Sequence, residues 1–170
     1  DLFTFTAAAD GRYVVDTRGP TDVVMKLFGP ASETALIAED DDSGVDVNAR
    51  LVRAVFSPGG SGWAFGEGGA VYKSSAGDPN WVRLQSPTRH LLLGGTFIDD
   101  NRGWIVGAGA TILQTSDGGE TWLVSKLADA PGIRFNATSF IGNRLGWAVG
   151  SSGNIYHTVN GGRTWQAQHS

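Results

Sequence analysis

The chain has 170 residues, a formal net charge of −4, only 18% charged residues, 25 glycines and no cysteine. A hydrophobic share of 41% is enough to bury a core and excludes a disordered chain. The acidic balance, with Lys and Arg scattered rather than clustered, argues against a nucleic-acid groove, and the lack of Cys excludes disulfides, thiolate zinc sites and thiol catalysis.

From the N-terminus, short strand-like runs stand at Leu2–Thr6, Arg12–Asp16, Val23–Phe28 and Ala35–Ala38. Turn signals separate them at Asp10-Gly11, Gly19-Pro20 and Gly29-Pro30. No apolar run is long enough to span a membrane as a helix, and no signal peptide is visible. The chain opens already alternating, in DLFTFT, as expected where an upstream segment has been removed. The stretches FTFTAAADGRYVVDTRG, TDVVMKLFG, LIAEDDDSG and NARL resemble the first half of a bacterial pre-peptidase C-terminal domain. That resemblance implies a small β-sandwich, export, and a role in binding or maturation. Residues 1–50 are thus expected to form a partial sandwich, with an irregular fourth blade beside the repeats below as the alternative.

Within this segment, Glu39–Asp46 is the densest acidic cluster. Carboxylate oxygens in a flexible loop suit Ca²⁺, with Asp40, Asp42 and Asp46 as candidate ligands. The full EF-hand pattern is missing, so a solvated turn is the simpler expectation and no cofactor is required.

From residue 51 a repeat takes over. The six tryptophans form three pairs, 63/81, 104/122 and 147/165, each pair spaced by 18 residues and successive pairs by 41 and 43. The segments GWAFGEGGAVYKSSAGDPNW, GWIVGAGATILQTSDGGETW and GWAVGSSGNIYHTVNGGRTW align without gaps. Phe56, Phe97 and Phe140 each precede the first Trp by seven residues. A period near 40 marks a repeat architecture, and four short antiparallel strands per repeat is the unit of a β-propeller blade. The expected fold is all-β, with three four-stranded blades at residues 51–88, 89–130 and 131–170. Three blades alone leave open sheet edges, so an incomplete or partner-completed propeller is expected.

The octapeptide Thr115-Ser-Asp-Gly-Gly-Glu-Thr-Trp122 carries an acid beside an aromatic, a combination also found at carbohydrate sites. Its chemistry favours a turn clamp. The Asp117 carboxylate can accept backbone N–H bonds a few residues on, Gly119 can supply a positive φ, Thr121 can add a hydroxyl bond, and Trp122 can bury its ring against the neighbouring sheet. The third copy has Thr158, Asn160, Gly162, Thr164 and Trp165 at the same places; the first has Ala76 where the acid stands. The Trp persists while the acid does not, which points to structure rather than catalysis.

This pattern resembles the Asp-box, or BNR repeat, and the longer GWAVG…G.I..T.NGG.TW pattern is similar to the photosystem II stability/assembly factor family across residues 51–168. The resemblance implies a non-enzymatic scaffold or binding propeller of an exported or membrane-associated complex, in a periplasmic, lumenal or secreted setting. It also implies a ring of about seven blades, against three here.

The rivals are a carbohydrate- or surface-binding module and a fragment of a sialidase-like glycosidase. Glycoside cleavage needs convergent carboxylates, and the repeats hold only two glutamates, Glu67 and Glu120, both in turns. Tyr72 and Tyr156 occupy matching third-strand positions, so packing explains them. His90, His157 and His169 lack metal-ligand spacing, and His157 is expected on an exposed strand position. Gly66–Gly69 is expected to be a hairpin turn, since no helix follows to complete a phosphate cradle. Arg102 and Arg144 lie in matching turns before Gly-Trp or Leu-Gly-Trp and are the candidate partner-binding ledge. A protein partner, with glycan as the alternative ligand and no nucleic acid, is the expectation.

Overall fold

A computed structural model of the chain describes residues 25–28, 36–40, 51–125, 127 and 132–168, the first two stretches in strand course only. Residues 51–168 carry three antiparallel meanders. Blade 1 is β3 (Leu51–Phe56), β4 (Gly62–Gly66), β5 (Val71–Ser74) and β6 (Val82–Leu84); blade 2 is β7 (Leu92–Phe97), β8 (Gly103–Gly107), β9 (Ile112–Thr115) and β10 (Leu123–Val124). Blade 3 is β11 (Phe135–Ile141), β12 (Leu145–Gly150), β13 (Ile155–Thr158) and β14 (Gln166–Gln168). The all-β, three-blade expectation holds. The fourth strands begin one residue after Trp81, Trp122 and Trp165, not on them.

Two local devices recur. The first strand of each blade slips register between Leu51 and Arg53, Leu92 and Gly94, and Phe135 and Ala137, a bulge that adds twist where the inner strands converge. Between the second and third strands, two successive residues take left-handed backbone: Gly68 and Gly69, Gly109 and Ala110, Ser152 and Gly153. Gly66–Gly69 is therefore a turn into β5, with no helix after it, as expected.

Blades stack face to face. β7 lies against β3 and β4, and β11 against β7 and β8. Strand alternation assigns each side chain to one interface. Trp63, Phe65 and Val71 of blade 1 meet Leu92, Phe97, Ile105 and Leu113 of blade 2. Val106 and Ile112, from the other face of blade 2, meet Phe135, Ala148 and Tyr156 of blade 3. Tyr156 packs edge-on to Phe135, with ring centroids 5.5 Å apart, so it is a core residue.

The glycine before each first Trp has a packing cause. Phe56, Phe97 and Phe140 lie directly across the ladder from Gly62, Gly103 and Gly146. In each case a Cβ on the glycine would overlap the Phe ring. Gly103→Ala is therefore expected to tilt Phe97 off its partner and cost about 1–2 kcal/mol, as overpacking does; urea unfolding of the variant measures this, and an unchanged midpoint would refute it.

The N-terminal segment contributes a two-stranded hairpin, β1 (Met25–Phe28) with β2 (Leu36–Asp40), in register Met25↔Asp40. It forms its own sheet, and β2 lies beside β5. Of the strands expected at 23–28 and 35–38, residues 25–28 and 36–38 are described as strand, and the second runs on to Asp40. Those expected at Leu2–Thr6 and Arg12–Asp16 lie outside the described residues.

Candidate functional site

The octapeptide turn links β9 to β10. Thr115 Oγ1 accepts the Gly119 N–H at 2.8 Å and donates to Asp117 Oδ1 at 2.8 Å. Asp117 Oδ1 also accepts the Thr121 N–H at 2.9 Å, and Oδ2 accepts the Thr121 hydroxyl. Gly118 and Gly119 take φ of 76° and 96°, the left-handed geometry that excludes most side chains. The Thr121 hydroxyl and amide, with Thr115 and Gly119, hold the Asp117 carboxyl down to about 2 against an ordinary 3.8. A carboxylate so committed has no proton to deliver near neutral pH, so general-acid chemistry does not suit it.

Blade 3 reproduces the clamp with an amide. Asn160 Oδ1 accepts the Thr158 hydroxyl at 3.0 Å and the Thr164 N–H at 3.0 Å, while its Nδ2 donates to Thr164 Oγ1 at 2.8 Å. Thr158 Oγ1 accepts the Gly162 N–H at 2.9 Å. Only the hydroxyl bond reverses direction. Blade 1 has Ala76 in this position, and its Ser74 hydroxyl donates instead to the Asp78 carbonyl at 2.7 Å.

The turns also serve as latches between blades. Trp63 Nε1 donates to the Gly118 carbonyl at 2.9 Å, and Trp104 Nε1 to the Gly161 carbonyl at 3.1 Å. Phe97 stacks on Trp63 with centroids 3.6 Å apart, and Phe140 on Trp104 at 3.5 Å. Trp63 and Trp104 are thus each held by a ring and a carbonyl of the following blade. The Trp122 ring packs, as expected, on the core cluster that blades 1 and 2 share, edge-on to Phe97 at 6.5 Å, while its Nε1 is buried without a partner among the described residues. Trp165, by contrast, donates to the Gly162 carbonyl of its own turn at 3.1 Å.

A third latch was not foreseen. The Ser57 hydroxyl donates to Asp100 Oδ1, joining the first turns of blades 1 and 2. Ser57, then Ser61, and the charge of Lys73 hold the Asp100 carboxyl below its usual range against the opposing effect of burial. Lys73 Nζ lies 5.5 Å over the Trp63 ring.

Arg102 and Arg144 are both exposed, in the turns between first and second strands. Their turns match, but the residues are offset by one. The Asn101 carbonyl accepts the Gly118 N–H at 2.7 Å where the Arg144 carbonyl accepts the Gly161 N–H at 2.8 Å, so Arg144 corresponds to Asn101 and Arg102 to Leu145. The Arg102 N–H is fixed on Asp99 Oδ1 at 2.6 Å. Both arginines therefore sit at the blade end that carries the octapeptide turns, which are bonded to the Arg144 carbonyl in one case and to the carbonyl of Asn101, next to Arg102, in the other.

Of the remaining candidates, Asp40 ends β2, while Asp42 and Asp46 lie outside the described residues. Among the described residues no group of three or more His, Asp or Glu could hold a metal. His90 Nδ1 bonds Thr111 Oγ1 at 2.9 Å. His157 departs from expectation: it is half-buried, and its Nδ1 is enclosed without a partner among the described residues. His169 lies outside the described residues. Among the described residues no helix is long and apolar enough to cross a membrane.

Comparison with known proteins accords with this architecture. Residues 73–169 match the family model of the photosynthesis system II assembly factor YCF48. A solved structure of YCF48 from Cyanidioschyzon merolae is 26% identical, with a TM-score of 0.59 over 69% of this chain and 39% of that one. A structure described as YCF48 bound to D1 peptide is 23% identical, with a TM-score of 0.57 over 74% of this chain and 46% of that one. The chain thus spans less than half the length of either structure. No curated protein matches it. The family match covers more than half of the chain, across the Trp-latched blades 2 and 3, and on that ground the chain belongs to the photosystem II assembly factor YCF48 family.

Proposed function

We propose that the chain is a non-enzymatic binding module that holds a segment of a client protein during assembly of an exported or membrane-associated complex. The observation that carries this reading is the blade end bearing Arg102 and Arg144, exposed side chains on turns whose carbonyls or N–H groups are already committed. A pinned backbone presents guanidinium groups with little ordering left to be done on binding. Guanidinium forks suit carboxylates, so the client segment is expected to carry acidic side chains. The related structure bound to D1 peptide supports a peptide as the kind of ligand. The resemblance of residues 1–50 to a pre-peptidase C-terminal domain supports an extracytoplasmic setting.

Fluorescence anisotropy with a labelled D1 peptide tests the proposal. The double variant Arg102→Glu/Arg144→Glu is expected to bind at least about tenfold more weakly, a loss of roughly 1.4 kcal/mol, and the wild-type affinity is expected to fall with salt. Equal affinity of variant and wild type would place the client on another surface.

A further inference from the structure

Asn160-Gly161 is the only Asn-Gly pair in the sequence. An asparagine before glycine is open to attack on its own side chain, because no side chain shields the following nitrogen. The clamp of blade 3 calls for both residues. Asn160 supplies the oxygen that holds the Thr158 hydroxyl and the Thr164 N–H. Gly161 takes a left-handed φ of 74°, and a Cβ there would stand 2.6 Å from the Asn143 carbonyl oxygen. Asp117-Gly118 fills the same places in blade 2, with a φ of 76° and a Cβ position 2.8 Å from the Asp100 carbonyl oxygen. There the ionised carboxylate is a poor electrophile, so the carboxamide of Asn160 makes blade 3 the reactive copy.

The folded turn keeps the reacting atoms from meeting. The Gly161 N–H donates to the Arg144 carbonyl at 2.8 Å. The Asn160 amide is tied at its oxygen to Thr158 and Thr164, and at Nδ2 to Thr164 Oγ1. The Gly161 carbonyl is held from blade 2 by Trp104 Nε1 at 3.1 Å. Ring closure needs the Gly161 nitrogen to turn onto Asn160 Cγ, which breaks its bond to Arg144. It also needs the amide to leave Thr164. All of these partners belong to blades 2 and 3.

We propose that Asn160-Gly161 is a self-modification site that the clamp keeps closed and the latch between blades 2 and 3 gates. When the turn opens, the Gly161 nitrogen attacks Asn160 Cγ. The new C–N bond forms as the Cγ–Nδ2 bond breaks, and the Gly161 amide proton leaves with Nδ2 as ammonia. Water then opens the cyclic imide at one of its two carbonyls. One opening leaves aspartate and the other isoaspartate, in which the main chain runs through the side-chain carbon. Aspartate rebuilds the clamp, as Asp117 does. Isoaspartate lengthens the main chain by one carbon, so the Gly161 N–H and carbonyl cannot both return to Arg144 and Trp104. Local opening of the latch is thereby recorded as a permanent loss of the turn. The proposal stands independently of the peptide-binding reading.

Incubation of the full chain in mildly alkaline buffer tests it, read by mass spectrometry of the tryptic fragment 145–163 with fragmentation to assign the site. A reaction slower than turn opening proceeds at a rate set by the open fraction. Conversion of Asn160 is therefore expected to be at least about tenfold slower in the folded chain than in the same chain held in urea. Trp104→Ala, which frees the Gly161 carbonyl, is expected to raise the rate in native buffer at least about threefold. Thr164→Val, which removes the Nδ2 acceptor, repeats this arm should Trp104→Ala fail to fold by circular dichroism. After refolding from urea, the folded fraction is expected to hold the aspartate product and to exclude the isoaspartate one. Equal rates in folded and unfolded chain would overturn the proposal, as would a folded variant that converts no faster than wild type. Isoaspartate found in the refolded protein would show that the turn survives the longer main chain, and would overturn the recorded loss.

Discussion

Trp104→Ala is expected to lower stability by about 3–5 kcal/mol, the range for deleting a buried aromatic ring, measured by urea unfolding. The residue is 1% exposed, stacks on Phe140 and bonds the Gly161 carbonyl, so the variant loses ring burial, a stacked pair and a hydrogen bond at one interface. The cavity opens between blades, where neither sheet can collapse without moving its own ladder. A double-mutant cycle with Phe140→Ala is expected to show coupling of about 0.5–1.5 kcal/mol. Trp147→Ala serves as the comparison: the same residue type in the same register, half-buried, is expected to cost the monomer no more than about 1 kcal/mol. Equal losses for the two would mean that the ring matters within its own blade and not as a latch.

The second large effect concerns Asp117. Replacement by Ala removes the acceptor of the Thr115 hydroxyl and of the Thr121 N–H and hydroxyl, and is expected to cost about 2 kcal/mol. Asp117→Asn is expected to cost under about 1 kcal/mol, because Asn160 already closes the same ring with one hydroxyl bond reversed. The two substitutions separate in acid. The folded-state pKa of about 2 lies below the ordinary 3.8, so the ionised form is favoured by folding. That contribution is fully present above about pH 4 and is lost as pH falls through 2. Partial exposure screens it, so the acid-dependent part is smaller than the shift alone implies. The difference in stability between wild type and Asp117→Asn should therefore shrink between pH 4 and pH 2. Parallel curves for the two proteins would show that the carboxylate is not clamped in the folded state.

The blades were legible because the Trp spacing and the aligned glycines survive in all three copies. Strand order, turn positions and the clamp at Asp117 followed from residue chemistry within one repeat. The partners of the tryptophans did not. Spacing places Trp63 and Trp104 on a strand, but their acceptors are main-chain carbonyls of another blade, which leave no mark in residue type. Trp122, beside the clamp, is the plausible latch from sequence; its ring packs on the cluster that blades 1 and 2 share, but no carbonyl accepts its N–H among the described residues. The Ser57–Asp100 bond was hidden for a different reason: Asn143 replaces Asp100, and Ile98 replaces Ser57, one repeat later, so a search for periodic features passes over it. The offset between Arg102 and Arg144 is easily passed over because both stand beside Asn in similar turns, but it is written in their distance from Trp104 and Trp147, two residues against three, and the Gly118 and Gly161 hydrogen bonds agree with it.

The latch is asymmetric in what it demands of the genetic material. One half is an indole, which a single base change can delete; the other half is a peptide carbonyl, which no substitution can remove. Mutational pressure therefore falls on the donor strand, while the acceptor turn is free to drift so long as its backbone path is kept. The turn of blade 1 shows the result. Ala76 and Asp78 have replaced the acid and the second glycine, yet Gly77 keeps the left-handed path of its counterparts. Copies of such a unit can diverge in side chain while the backbone path of the turn is kept. A designer could graft a tryptophan-bearing strand onto a foreign blade and expect an acceptor to be waiting.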